Sequence, residues 1–305
     1  MLFGLLAVVA ASAASAVSAV AGTFDETARW AWSGNAGWIS FRHNQPAAPA
    51  GVSVGETVLS GFAWSPNIGW INFGSGRPAN GHTYANTGTD HGVNRGPGGR
   101  LSGFAWSANT GWINFGWAEG AEFEPDRPQV NGLTGAFSGY AWSANLGWIN
   151  LGTGLLATRT IAVVDEDGDG MSDHWEHLHF GGLAAAGLAT DADGDGVSDR
   201  DEYQADTDPG DAGKFLQIFQ HTYNGALNEA TLDFTISGTR LYRIEMSTDL
   251  GASGPWVDSG LGVITPSADA IQIAVPYGRF LSRTFGFPAG PWRFFRVVAL
   301  KPLAP

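Results

Sequence analysis

Four times between residues 30 and 151 the chain repeats one dozen-residue pattern, and no other feature constrains its fold as strongly. The first copy is Trp30-Ala-Trp32-Ser-Gly-Asn35-Ala-Gly37-Trp38-Ile-Ser-Phe41. The others run from Phe62, Phe104 and Tyr140 and keep Trp64, Asn67, Gly69, Trp70; Trp106, Asn109, Gly111, Trp112; and Trp142, Asn145, Gly147, Trp148 in register. The first tryptophans of successive copies, counted from Trp32, stand 32, 42 and 36 residues apart. A fixed core with variable spacers is the mark of a repeat architecture.

Within each copy, alternating residues flank a Ser-x-Asn-x-Gly segment, which predicts two strands joined by a five-residue loop. Setting Trp64 opposite Trp70 pairs Ala63 with Ile71 and Phe62 with Asn72, so one face is aromatic and the other sets small against large. Asn67 and Gly69 suit positions that need left-handed or turn conformations. The last three copies also carry an upstream run, Gly51–Val54, Gly92–Arg95 and Gln129–Gly132, which makes each unit a three-stranded meander. The first copy lacks that run and either caps the array or takes its missing strand from elsewhere. Exposed tryptophans in a row would stack on sugar rings. The reading adopted here is that both faces are buried and the tryptophans form the core, where aromatics supply most of the burial. Trp117, outside the pattern, is then the better candidate for an exposed contact.

Two acidic dozens follow. Asp165, Asp167, Asp169, Asp173 and Glu176 stand at positions 1, 3, 5, 9 and 12 of the first, with Gly170 at position 6. Asp191, Asp193, Asp195, Asp199 and Glu202 do the same in the second, with Gly196 at the turn. This is the oxygen-ligand spacing of an EF-hand calcium loop, in which position 7 (Met171, Val197) offers its backbone carbonyl. Two calcium ions are expected. Residues 165–211 hold 15 Asp and Glu and the single base Arg200, a charge of −14 in a chain of −13. Carboxylates crowded in this way repel one another unless cations neutralise them. The same acidity disfavours nucleic acid as a partner.

Each loop leads into a predicted short helix, Met171–Phe180 and Val197–Ala205, which turns positions 9 and 12 back towards the ion. Thr160–Val164 reads as a strand, so a full helix–loop–helix is not expected. Asp206 and Asp208 are further possible oxygen donors. His174, His177 and His179 lie at helical spacing and invite a transition-metal reading; the preferred reading is that they are solvated positions flanking the calcium helix.

These loops and the ending Glu202-Tyr203…Thr207-Asp208-Pro209 resemble the thrombospondin type 3-like calcium repeats of bacterial secreted and surface proteins. The resemblance covers residues 165–211 and implies a structural calcium module between adhesive or catalytic domains. The Trp-Ser-x-Asn-x-Gly-Trp-Ile units of residues 29–151 resemble repeats of exported proteins without an established activity.

Residues 2–21 are apolar and uncharged, with Ala19-Val20-Ala21 fitting a small-residue cleavage site, and are read as a signal peptide of a secreted or cell-surface protein. No membrane span is expected in the mature chain. Cysteine is absent, so an exported chain would rely on its core and on bound metal for cross-linking. Residues 214–305 offer strand-like runs at Phe215–Phe219, Ala230–Ile236, Arg240–Met246, Ile271–Val275 and Arg293–Ala299, which predict an antiparallel sandwich.

The expected organisation is mainly β: a signal peptide (1–21), an aromatic β-meander repeat domain (22–158), a calcium-binding loop–helix pair (159–212) and a C-terminal antiparallel β-sandwich (213–305). No catalytic constellation is found, because the carboxylates are absorbed by the metal loops and no nucleophile or phosphate motif occurs. The function read from the sequence is that of a non-enzymatic calcium-binding structural or adhesive protein of the cell surface or matrix. The alternative is a carbohydrate-binding protein with polysaccharide or a surface protein as partner.

Overall fold

A computed structural model describes residues 23–42, 51–119, 124–185, 187, 189–248, 254–266, 271–272, 279–288 and 294–303; the expected signal peptide lies outside them. Among the described residues the fold is mainly β, with two short α-helices. In the first repeat, strands β1 (Phe24–Ser33) and β2 (Gly37–Ser40) form a hairpin. The second repeat supplies β3 (Ser53–Val54), β4 (Leu59–Ser60), β5 (Phe62–Ser65) and β6 (Gly69–Asn72). The third supplies β7 (Val93–Arg95), β8 (Leu101–Ser107) and β9 (Gly111–Asn114). The fourth supplies β10 (Gln129–Val130), β11 (Phe137–Ser138), β12 (Tyr140–Ser143) and β13 (Gly147–Asn150).

The register within each hairpin follows the expected pairing: Trp64 faces Trp70, Ala63 faces Ile71 and Phe62 faces Asn72. Ser65 also pairs with Gly69, which shortens the loop to three residues. Neighbouring hairpins meet through single bridges, Ser40 to Trp64, Asn72 to Trp106 and Asn114 to Trp142. Pairing of Trp32 with Asn150 and Ser33 with Ile149 joins the last hairpin to the first. The eight hairpin strands therefore close into an antiparallel barrel. Strand β14 (Leu156–Thr158) pairs with the start of β1, so the first copy takes its missing strand from the end of the array.

Closure decides which face is inside. Ala31, Ala63, Ala105 and Ala141 point into the bore opposite Ile39, Ile71, Ile113 and Ile149, and all eight are buried. An eight-stranded barrel has room for little more than such small-against-large pairs. Phe41, Phe73, Phe115 and Leu151 fill the next layer, with Phe41 and Phe73 in ring contact at 5.1 Å. The tryptophans point outward: all eight paired indoles, Trp32 to Trp148, keep 37% to 52% of their surface exposed. This overturns the expectation that they form the core and that both faces are buried. Trp117 is instead half-buried, in edge-to-face contact with Trp148 at 5.0 Å and with its indole N–H donating to the Tyr140 carbonyl.

The Ser-x-Asn-x-Gly segments lock the hairpins into a ring. Asn67 Nδ2 donates to the Ala36 carbonyl (3.0 Å), Asn109 to Ile68 (3.0 Å), Asn145 to Thr110 (2.9 Å) and Asn35 to Leu146 (3.2 Å). Each asparagine thus reaches the turn of the preceding hairpin, and the last link runs from the first copy to the fourth. The glycine of each turn takes the left-handed backbone, as Gly69 does at φ +73°, whereas Asn67 does not adopt positive φ. The asparagine is there for the bridge and the glycine for the bend. Replacing Asn145 with Ala leaves the buried end of this junction short of a donor and is expected to lower stability by about 1–2 kcal/mol in urea denaturation; an unchanged midpoint would mean that the amide does not hold the ring.

Glycines also bend the long strands where they pass from the upstream run to the hairpin. Gly61, Gly103 and Gly139 have φ of +85°, +80° and +76°. A Cβ at Gly139 would lie 1.9 Å from the Arg127 carbonyl oxygen. The expected strand at Thr160–Val164 is reduced to one parallel bridge, Gly55 to Ala162. Helices α1 (Asp173–Phe180) and α2 (Asp199–Ala205) follow.

The last region holds β15 (Ile218–Asn224), β16 (Glu229–Thr235), β17 (Leu241–Ser247), β18 (Val257–Asp258), β19 (Ile271–Gln272), β20 (Arg279–Gly286) and β21 (Phe294–Leu300). They form one sheet in the order β15-β16-β20-β19 and another in the order β18-β17-β21. Side chains of both, among them Phe234, Leu281, Tyr242 and Ile244, share one core cluster. The strand expected at Phe215–Phe219 starts at Ile218 and runs on to Asn224, and β20 was not anticipated. Residues 273–275 and 293 of two expected strands lie outside the described residues. Among the described residues no helix is long and apolar enough to cross a membrane.

Candidate metal centre

Both acidic loops fold by the same local rules. Asp165 accepts hydrogen bonds from the N–H groups of Gly168 (2.7 Å) and Gly170 (3.1 Å), and Asp191 from Gly194 (2.8 Å) and Gly196 (2.9 Å). Gly170 and Gly196 sit at φ +89° and +94°, the sharp turn that a side chain would strain. The N–H of Met171 donates to Asp169 and that of Val197 to Asp195. Asp173 and Asp199 open the helices and hold the second residue of their loops, accepting from Glu166 (2.9 Å) and Ala192 (3.0 Å). Ser198 caps α2 by accepting from the N–H of Asp201.

This folding draws the carboxylates together. Ligand atoms of Asp165, Asp167 and Asp173 lie within 4.8 Å of one another, as do those of Asp167, Asp169 and Glu176. In the second loop the same distance gathers Asp191, Asp193 and Asp195. Asp199 and Glu202 fall outside that triplet, but the Glu202 carboxyl feels the charges of Asp193, Asp195 and Asp199. Asp206 and Asp208 are not brought to either loop. Asp206 accepts from the hydroxyls of Ser237 and Thr239, and Asp208 lies 3.8 Å from Lys214.

The interior oxygens of these loops lack partners. Glu176 and Glu202 are fully buried, and both oxygens of Glu176, one of Glu202 and one each of Asp169, Asp193, Asp195 and Asp199 have no hydrogen-bond donor. Burial, reinforced by the neighbouring aspartates, pushes the Glu176 and Glu202 carboxyls up to about 7. A buried carboxylate without a cation or donor is costly. Hard oxygen donors, several of them charged, suit a hard divalent cation and not a soft one. The donor set fits such an ion in each loop.

The three histidines do not converge. His174 is buried and not solvated as expected, and burial lowers its pKa; His177 Nδ1 lies 2.7 Å from the Asp173 carbonyl, and the His179 ring is tilted against that of Trp175 at 4.6 Å. Among the described residues, the groups able to hold a metal are the acidic ones alone.

Around the loops the paired helices join the two β regions. Met171, Trp175 and Tyr203 form a small core of their own. The Tyr203 hydroxyl donates to Glu56 of the barrel (2.9 Å), and Lys301 from the chain end lies 3.7 Å from the same carboxylate and 3.0 Å over the tyrosine ring. Arg240 donates to the carbonyls of Tyr203 and Gln204 at the C-terminal end of α2, where the helix dipole favours a cation. Arg77 of the barrel reaches Glu166 at 2.9 Å. Glu56, Arg77 and Lys301 were not singled out from the sequence, because their partners are far apart along the chain, and Tyr203 was noted only for its place in the repeat-like ending. No family model, curated protein or solved structure matches this chain.

Proposed function

We propose that the chain is a non-enzymatic exported structural protein of the cell surface or matrix, in which two calcium ions clamp the joint between two β modules. In this reading residues 165–211 are a thrombospondin type 3-like pair, and the last two sheets form a sandwich. The observation that carries it is the set of buried carboxylate oxygens without donors, from Asp169 and Glu176 in one loop to Asp199 and Glu202 in the other. Asp165, Asp167 and Asp173, with Asp191, Asp193 and Asp195, complete the two ligand sets, and the carbonyls of Met171 and Val197 add one oxygen each. Bound dications would supply positive charge to these oxygens and so hold α1 and α2 against Glu56, Arg240 and Lys301.

Titration calorimetry with calcium chloride tests it. Two ions per chain are expected. Glu176→Gln and Glu202→Gln should each weaken one site by roughly tenfold or more, because ligand charge sets affinity in such loops. Unchanged stoichiometry and affinity in both variants would end this reading.

A further inference from the structure

The outward face of the barrel is chemically unlike the rest of the molecule. The four runs 30–41, 62–73, 104–115 and 140–151 contain no Asp, Glu, Lys or Arg, in a chain whose net charge is −13. Their exposed indoles amount to on the order of 800 Å², taking a tryptophan at about 250 Å². Divided among four hairpins this is roughly 200 Å² per facet; single exposed apolar residues need no explanation, but the same exposed, uncharged tryptophan pair repeated on every hairpin does.

Amides alternate with the rings. Trp106 is bridged to Asn72 on the neighbouring hairpin and Trp142 to Asn114, while each also faces a tryptophan within its own hairpin. The Oδ1 atoms of Asn72 and Asn114 are tied down by the N–H groups of Gly74 (2.9 Å) and Gly116 (2.7 Å). Their NH₂ groups have no acceptor among the described residues. The second, third and fourth facets, those of Trp64, Trp106 and Trp142, therefore offer apolar rings beside the fixed neutral donors of Asn72 and Asn114, whereas the first hairpin has Ser40 at that place.

We propose that the four hairpin facets are binding sites for a neutral polysaccharide, with the apolar faces of sugar rings stacked on the indoles and sugar hydroxyls accepting from the asparagine amides. The absence of charge selects the partner: a polyanion finds no cation in the runs, and a basic protein finds no carboxylate. Arg29, just outside the first run, is turned onto its own Trp30 at 4.7 Å. Because the hairpins close into a barrel, the four facets look outward in different directions, so one molecule would link separate polysaccharide segments and gain avidity. None of the acidic loop residues is needed, so this site stands or falls independently of the calcium reading.

Affinity electrophoresis of the full chain in gels containing hydroxyethyl cellulose, xylan or β-glucan, with carboxymethyl cellulose as the charged control, tests the proposal. Retardation is expected with at least one neutral polymer and not with the charged one. Trp142→Ala with Trp148→Ala should remove one facet and reduce the retardation, and the same pair in two facets should reduce it further, since fewer polysaccharide segments are held at once. Circular dichroism checks that these variants keep the fold, and Trp142→Phe with Trp148→Phe should retain partial binding. No retardation by any neutral polymer, or equal retardation of the variants, would overturn it. So would self-association, or cosedimentation with phosphatidylcholine vesicles, that the same substitutions abolish, since the facets would then serve a second copy or a lipid surface.

Discussion

Removal of divalent cations with EGTA is expected to unfold residues 165–211 while the barrel stays closed. Each site saturated at about a hundred times its dissociation constant adds roughly 2.7 kcal/mol to the folded state. Two sites together amount to a large share of the 5–15 kcal/mol that typically holds a domain. Without the cations Glu176 and Glu202 remain buried against like charges, with carboxyls already driven up to about 7. The segment's own core is small, Met171, Trp175 and Tyr203 with Phe180 packed alongside, and beyond it only the polar contacts of the joint hold the helices. The barrel has a separate core and its own ring of asparagine bridges. Hydrogen exchange should therefore show amides of α1 and α2 losing protection in EGTA while the hairpin amides keep theirs. Full protection of the helices under chelation would remove the metal from the account, and loss of protection everywhere would show that barrel and joint unfold as one unit.

Substituting Gly139 with Ala is expected to cost roughly 3 kcal/mol or more, from left-handed strain combined with a backbone collision. The new methyl would sit 1.9 Å from the Arg127 oxygen, 2.4 Å from its carbonyl carbon and 2.6 Å from the Asp126 oxygen, so backbone and not a flexible side chain must move. Gly147→Ala provides the comparison. Its φ is +67°, but nothing lies within 4 Å of the added atom, so only the strain of about 1–2 kcal/mol applies. Urea denaturation followed by tryptophan fluorescence reads both. Equal losses would mean that backbone strain alone accounts for the requirement at residue 139.

Pairing within a hairpin is legible from the residues, because alternation places Trp64 opposite Trp70 and Ala63 opposite Ile71. Pairing between hairpins is not. Each junction between successive hairpins rests on one bridge, such as Ser40 to Trp64, and no pattern along the chain announces it. The inner face was misjudged for a related reason. By hydrophobicity the tryptophans outrank alanine, yet a bore closed by eight strands admits Ala31 opposite Ile39 and leaves no room for indoles. Closure, a long-range property, overrode the local preference. The turns of the acidic loops were legible because their aspartates and glycines fall within twelve residues, so spacing alone sets the local backbone. Their anchoring was hidden, since Glu56, Arg240 and Lys301 come from three distant parts of the chain.

The pairing of β14 with β1 has a consequence for how the domain comes into being. Synthesis delivers the amino-terminal strand first and its partner about 130 residues later, so the rim stays unsealed until Leu156–Thr158 has emerged. It also makes the start and finish of the array spatial neighbours. A circularly permuted gene that fuses those ends and opens the chain between two hairpins would preserve every bridge while changing the order in which the pieces arrive.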